Sequence, residues 1–105
     1  MMTKKQLLLL AIIFLPVVAS AAAYDANIDG IFYNLYVDTR VAEVTSNPVN
    51  YSGNVIIPES VTYEDIEYKV NIIGDEAFKN CTGLISISIP NSVTKIDLRA
   101  FYQCI

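Results

Sequence analysis

From Tyr24 onward, apolar residues alternate with polar ones in short runs separated by turn formers, the two-residue period of half-buried β-strands. Ile31, Tyr33, Leu35 and Val37 form one run, and Val41 and Val44 fall in the next. Asp29-Gly30 is a hairpin signal, because a two-residue turn of the hairpin type needs positive φ at both positions. Two or three antiparallel strands are predicted over Tyr24–Val44. Thr45-Ser46-Asn47-Pro48 and Asn50-Tyr51-Ser52-Gly53 read as loop. Val55-Ile56-Ile57 resumes as a strand and Pro58, which lacks an N–H, stops it. Val61-Thr62-Tyr63 and Ile66-Glu67-Tyr68 flank Glu64-Asp65 as a short hairpin.

The second half repeats itself. At an offset of 23 residues, Val70/Val93, Ile73/Ile96, Ala77/Ala100, Phe78/Phe101 and Cys81/Cys104 are identical, five matches in thirteen available positions. All are apolar or small, as a stacked interior demands. A second echo, at an offset of 32, pairs Val55-Ile56-Ile57-Pro58-Glu59-Ser60-Val61 with Ile87-Ser88-Ile89-Pro90-Asn91-Ser92-Val93. The extra length of the earlier unit sits near Thr62–Lys69, a decorated first coil. Leu84-Ile85-Ser86-Ile87-Ser88-Ile89 fits the L-x-x-L-x-L core of a leucine-rich repeat, a period of 20–29 residues. Leu84, Ile87 and Ile89 are expected to point inward, and Ile85, Ser86 and Ser88 outward. Ala77 and Phe78 are expected on the opposite side of the stack, with Phe78 filling it.

Residues 1–23 do not share this pattern. Lys4 and Lys5 precede an uninterrupted apolar run, Leu7–Leu15, closed by Pro16 and followed by Ala19-Ser20-Ala21 and Ala21-Ala22-Ala23. Charge, apolar stretch and small residues in that order describe a secretory signal peptide. The apolar run is short of the roughly 20 residues a spanning helix needs, so cleavage rather than anchoring is expected, leaving no membrane span. The remainder, starting near Ala22 or Tyr24, is then one small domain or part of one.

Charge and residue types narrow the chemistry. The chain of 105 residues carries a net charge of −4, and loss of Lys4 and Lys5 leaves 5 basic against 11 acidic residues, or −6. That balance opposes nucleic acid. There is no His, which removes Ser-His-Asp and Cys-His machinery and the commonest metal ligand and general base. Glu64-Asp65 and Asp75-Glu76 are carboxylate pairs of the type glycosidases use, but neighbours in an extended segment point to opposite faces, and both pairs read as solvated turns. Asp25-Ala26-Asn27-Ile28-Asp29-Gly30 alternates oxygen ligands as a calcium loop does, without the closing bidentate Glu. No catalytic, cofactor-binding or metal-ligating residue is therefore assigned, and no cofactor is expected.

Cys81 and Cys104 hold the same place in successive coils. Stacked strands lie about 4.8 Å apart, which makes a bridge conceivable, but parallel side chains would strain it, and buried free thiols are favoured. Asn50-Tyr51-Ser52 and Asn80-Cys81-Thr82 have the form of glycosylation sequons. Tyr24, Tyr33, Tyr36, Tyr51, Tyr63 and Tyr68 lie in the strand-rich first half, where strand propensity explains them without a recognition role.

The run Ile73-Gly74-Asp75-Glu76-Ala77-Phe78-Lys79-Asn80-Cys81-Thr82-Gly83-Leu84, followed by Ile89-Pro90-Asn91-Ser92-Val93, resembles the BspA-like leucine-rich repeat family of surface proteins. Val70–Ile105 makes one full and one partial repeat. The second unit departs from the family's Gly-Asp/Asn-x, carrying Asp97-Leu98-Arg99. The resemblance implies a mainly β fold: a signal-peptide helix over 1–23, an N-terminal β-hairpin cap over 24–69, and about one and a half repeats of a solenoid over 70–105. It also implies a non-enzymatic protein, secreted or on the cell surface, used in adhesion and in binding a host or matrix protein. Two other readings are carried: a structural capping fragment of a longer surface protein, and an extracellular glycan-acting enzyme. Because repeats stabilise one another, an open end at Val93, Ile96, Phe101 and Ile105 is expected to invite self-association.

Overall fold

Alternation of apolar and polar side chains over stretches too short for a helix leaves this chain little choice but strands. In the computed structural model, which describes residues 24–104, all regular structure is β. The leader over 1–23, and Ile105, lie outside the described residues. In chain order the strands are β1 (Ala26–Ile28), β2 (Ile31–Tyr36), β3 (Val41–Thr45), β4 (Gly53–Ile56), β5 (Ser60–Tyr63), β6 (Ile66–Ile73), β7 (Leu84–Ser88) and β8 (Lys95–Ile96).

Within the 24–69 segment, the part that precedes the coils, called the cap from here on, is built on an antiparallel meander of β1, β2 and β3. Asp29 and Gly30 join β1 to β2 with φ of 53° and 89°, the double positive that Asp-Gly supplies at least cost. Glu64 and Asp65 join β5 to β6 the same way, at 50° and 66°, so the expected hairpin forms without a glycine.

The coils then stack in parallel. One side of the solenoid is β4 on β7. The other is β3, β6 and β8, in the order of the coils. β3 thus belongs to both parts, antiparallel to β2 and parallel to β6, and it hands the cap's ladder to the repeats. Gly74 donates its N–H to the Val44 carbonyl at 2.8 Å and Asp97 donates to Ile73 at 2.9 Å, the same bond one coil later.

The two turns that close the coils match bond for bond. Ala77 bonds to Gly74, Lys79 to Glu76 and Cys81 to Phe78; 23 residues on, Ala100 bonds to Asp97, Tyr102 to Arg99 and Cys104 to Phe101. The Asp97-Leu98-Arg99 departure therefore keeps the turn. Gly74 has its own reason to be glycine: a Cβ there would collide with the Glu43 carboxylate and approach the Val44 carbonyl to 3.1 Å. One coil later the place of Glu43 is held by Ile72, and a side chain at 97 is accepted.

The core runs along the solenoid axis. Val44, Val70, Ile73, Ala77, Phe78 and Cys81 are buried, with Phe78 fully so. Leu84 and Ile87 pack against them from β7, as the inward assignment required, whereas Ile89, also assigned inward, is exposed. Ile89, Ile96 and Leu98, at 37%, 49% and 100% exposure, lie on the last described coil, which no further coil covers among the described residues.

Candidate functional site

The β4–β7 sheet presents an outer face of its own. Alternation turns Val55 and Ile57 inward and leaves Asn54 and Ile56 outward, opposite Ser86 and Ser88. Ser86 Oγ donates to Asn54 Oδ1 at 2.7 Å. The pairing slips by one residue between Gly53 and Asn54, and Ile85 is the residue left without a partner, a bulge that pushes its side chain out. Ile85 is 78% exposed and Ile56 73%. Two large apolar side chains thus stand free among short polar ones.

Charged side chains of successive coils also pair. Arg99 donates to both carboxylate oxygens of Asp75, Nη2 to Oδ2 at 2.7 Å and Nε to Oδ1 at 3.3 Å. Its Nη1 lies 3.3 Å from Glu76 Oε2, and Lys79 reaches the same oxygen at 3.4 Å. The ammonium of Lys79 sits 5.8 Å from the Tyr102 ring centroid. Chiefly through its hydrogen bond, Arg99 holds the Asp75 carboxyl below the usual carboxylate range, and Asp75 holds the Arg99 guanidinium above its own. A carboxylate held ionised is the opposite of a general acid, which needs a raised pKa.

The remaining candidates divide between turns and packing. Glu64 and Asp65 are exposed at the tip of the β5–β6 hairpin. Asp25 accepts from the Leu35 N–H at 2.9 Å and Asn27 from the Gly30 N–H at 3.0 Å, so the oxygens of the calcium-like run brace the cap backbone. Among the described residues no group of three or more His, Cys, Asp or Glu is placed to hold a metal ion. Asn50 and Asn80 are both exposed. The cysteines are unbridged; Cys81 is buried, with its thiol pKa pushed up by desolvation, while Cys104 is half-buried and its Sγ lies 3.5 Å from the Cys81 carbonyl.

Of the tyrosines, Tyr33, Tyr51 and Tyr68 are buried and Tyr24 and Tyr63 half-buried. Tyr51 takes the place in the cap that Phe78 takes in the first coil, their ring centroids 4.7 Å apart. Its hydroxyl donates to the Thr45 carbonyl at 2.7 Å and accepts from the Phe32 N–H at 2.9 Å. Burial pushes its pKa up to about 12. Tyr36 is exposed and donates to Glu43 Oε1 at 2.6 Å, a bond that moves its pKa up to about 12. Sequence reasoning missed this pair, and it missed Arg99 as the partner of Asp75; the one signal of the latter was the departure Asp97-Leu98-Arg99 from the repeat pattern.

The model of a family described as BspA type leucine-rich repeat region (6 copies) matches residues 53–105. The chain is similar to a leucine-rich repeat protein from Bacteroides ovatus, with 37% identity and a TM-score of 0.66 over 77% of this chain and 21% of that one. A leucine-rich repeat protein from Bacteroides capillosus is similar at 29% identity and a TM-score of 0.65, over 75% of this chain and 58% of the other. A leucine-rich cell surface protein from Faecalibacterium prausnitzii shares the fold at 24% identity and a TM-score of 0.53, over 81% of this chain and 29% of that one. The chain thus spans between about a fifth and three fifths of the length of these relatives. No protein with a curated description matches it.

Proposed function

This chain belongs to the BspA-type leucine-rich repeat family, and from that membership we propose that it is a non-enzymatic protein, secreted or on the cell surface, that binds a host or matrix protein through the outer face of its stacked coils. The observation that carries the reading is the exposure of Ile56 and Ile85 on the β4–β7 face, among Asn54, Ser86 and Ser88. Isoleucines about three-quarters exposed in a field of short side chains give a flat partner apolar anchors without steric hindrance. Repeats extend such a face one coil at a time. Among the described residues no helix is long and apolar enough to cross a membrane, and the leader over 1–23 is read as an export signal.

The arrangement argues against catalysis in the terms chemistry requires. Asp75 and Glu76 are engaged by Arg99 and Lys79, and Glu64 and Asp65 face solvent at a hairpin tip. The test is a binding screen of the purified full chain against immobilised matrix proteins, with an Ile85→Asp variant beside it. Saturable binding that falls at least ten-fold in the variant is expected. Binding equal in both would move the partner to another face.

A further inference from the structure

Among the described residues, β4 is paired on one side only. Gly53 and Ile57 donate their N–H groups to the carbonyls of Gly83 and Ser88 in the next coil, at 2.9 and 3.0 Å. In a parallel pair, alternate residues direct both N–H and C=O to the same neighbour, so those of Asn54 and Ile56 point the other way, toward the β1–β2 turn. Among the described residues no strand pairs with that edge. On the other side of the solenoid the cap does supply the preceding strand, since β3 underlies β6 as β6 underlies β8. Beneath β4 it supplies none.

A trough lies there instead. Two open cavities of about 340 and 380 Å³ adjoin along this edge and share Asp29, Ile31 and Ile56. Val49, 83% exposed, stands at one lip and Ile56 at the other. Tyr33 lines the first cavity; it is fully buried and its hydroxyl has no hydrogen-bond partner among the described residues. A buried hydroxyl without a partner costs free energy that an incoming polar group would recover.

We propose that this trough takes up an extended segment of another protein, four or five residues laid as an added strand against Asn54 and Ile56. Two donors and two acceptors in the strand repeat are what main-chain pairing needs, and pockets for alternate side chains supply the specificity. One side of the incoming strand would pack on Ile31 and Val55, with a polar side chain reaching the Tyr33 hydroxyl. Among the described residues Asp29 is the one charged side chain lining the two cavities, and the chain carries −4, so a basic residue is favoured opposite Asp29. A second copy of this chain would bring like charge to the same place, which is why the occupant is assigned to a different protein.

The probe is a fluorescein-labelled peptide copying residues 84–89, the strand that already pairs with the other edge of β4, with a lysine at each end. Its anisotropy is followed on titration with the full chain, and amide hydrogen exchange is read at Asn54 and Ile56. Saturable binding is expected, with exchange at both amides slowed at least ten-fold. N-methylation of alternate amides in the peptide should weaken binding at least ten-fold. Ile56→Pro, which removes one outward donor and leaves the bonds to β7, should do the same; where that variant does not fold, the methylated peptide carries the test. Absence of binding, or binding indifferent to both changes, overturns the proposal. So does protection of the Asn54 and Ile56 amides in the free chain: if independent of concentration the occupant is a segment of this chain, and if dependent on it, a second copy. The outer-face reading is tested separately by Ile85→Asp, so the two fail independently.

Discussion

Phe78 and Phe101 stack face to face, ring centroids 5.2 Å apart and planes 6° from parallel, one coil apart in the solenoid. The column continues into the cap through Tyr51, Phe32 and Tyr24, whose successive centroids lie 4.7, 6.4 and 4.6 Å apart. Each coil adds one ring, and in the cap the column passes from tilted to edge-on contacts, Phe32 meeting Tyr51 at 65° and Tyr24 at 84°. Core and repeat are the same feature seen across and along the axis.

Phe78→Ala removes the centre of that column and should destabilise by about 3–5 kcal/mol. Ser88→Ala, on an exposed outward position, should be near neutral. Denaturant titration of both variants checks the pair, and equal losses would contradict the inward and outward assignment.

Tyr51→Phe and Tyr33→Phe delete the same atom with opposite expectation. The first strands the Phe32 N–H and the Thr45 carbonyl, both bonded to the hydroxyl, and should cost about 1–3 kcal/mol. The second removes a buried hydroxyl that has no partner among the described residues and should be neutral or stabilising. Thermal melts of the two single variants decide it.

Stability should fall with rising pH above 10. The Tyr51 pKa is raised from 10.0 to about 12 in the folded chain, so between these values the unfolded chain gives up a proton that the folded chain keeps. The folded state then binds more protons, and stability declines through that window. Tyr33, raised further by burial, extends the decline. In Tyr51→Phe the slope of stability against pH between 10 and 12 should be shallower.

Gly74→Ala should disturb a residue that it does not touch in sequence. The new Cβ displaces the Glu43 carboxylate, which holds the Tyr36 hydroxyl at 2.6 Å. Absorbance titration should show the Tyr36 pKa falling from about 12 toward 10. Loss of stability should be about 1 kcal/mol, and smaller in Glu43→Ala, where the obstacle is gone.

Thiol reagents should separate the two cysteines. Cys104 is half-buried and should label slowly in the native chain, whereas Cys81, buried and with its thiol pKa raised, should label only on unfolding. Mass spectrometry of the labelled chain assigns the sites. This refines the expectation that both are protected: the repeat position is the same, but Cys81 has a coil over it and Cys104 has none among the described residues.

Much of the fold was legible because the sequence repeats the constraints that make it. Val70, Ile73, Ala77, Phe78 and Cys81 recur 23 residues later because each must meet its own copy one strand spacing away, and Asp29-Gly30 signals a hairpin because few residues accept two positive φ values. Side-chain alternation likewise placed Ile85, Ser86 and Ser88 outside. What the sequence could not state is which unlike residues meet. Arg99 finds Asp75, Tyr36 finds Glu43, and Tyr51 replaces a phenylalanine in the cap, none of them at a repeat offset shared by identical residues. The open edge of β4 is equally a tertiary fact, since a strand's own residues do not record whether a neighbour lies beneath it. Local propensity and periodicity act within a coil and between equivalent positions. Contacts across the cap boundary depend on how far the chain travels before it returns, and only folding decides that distance.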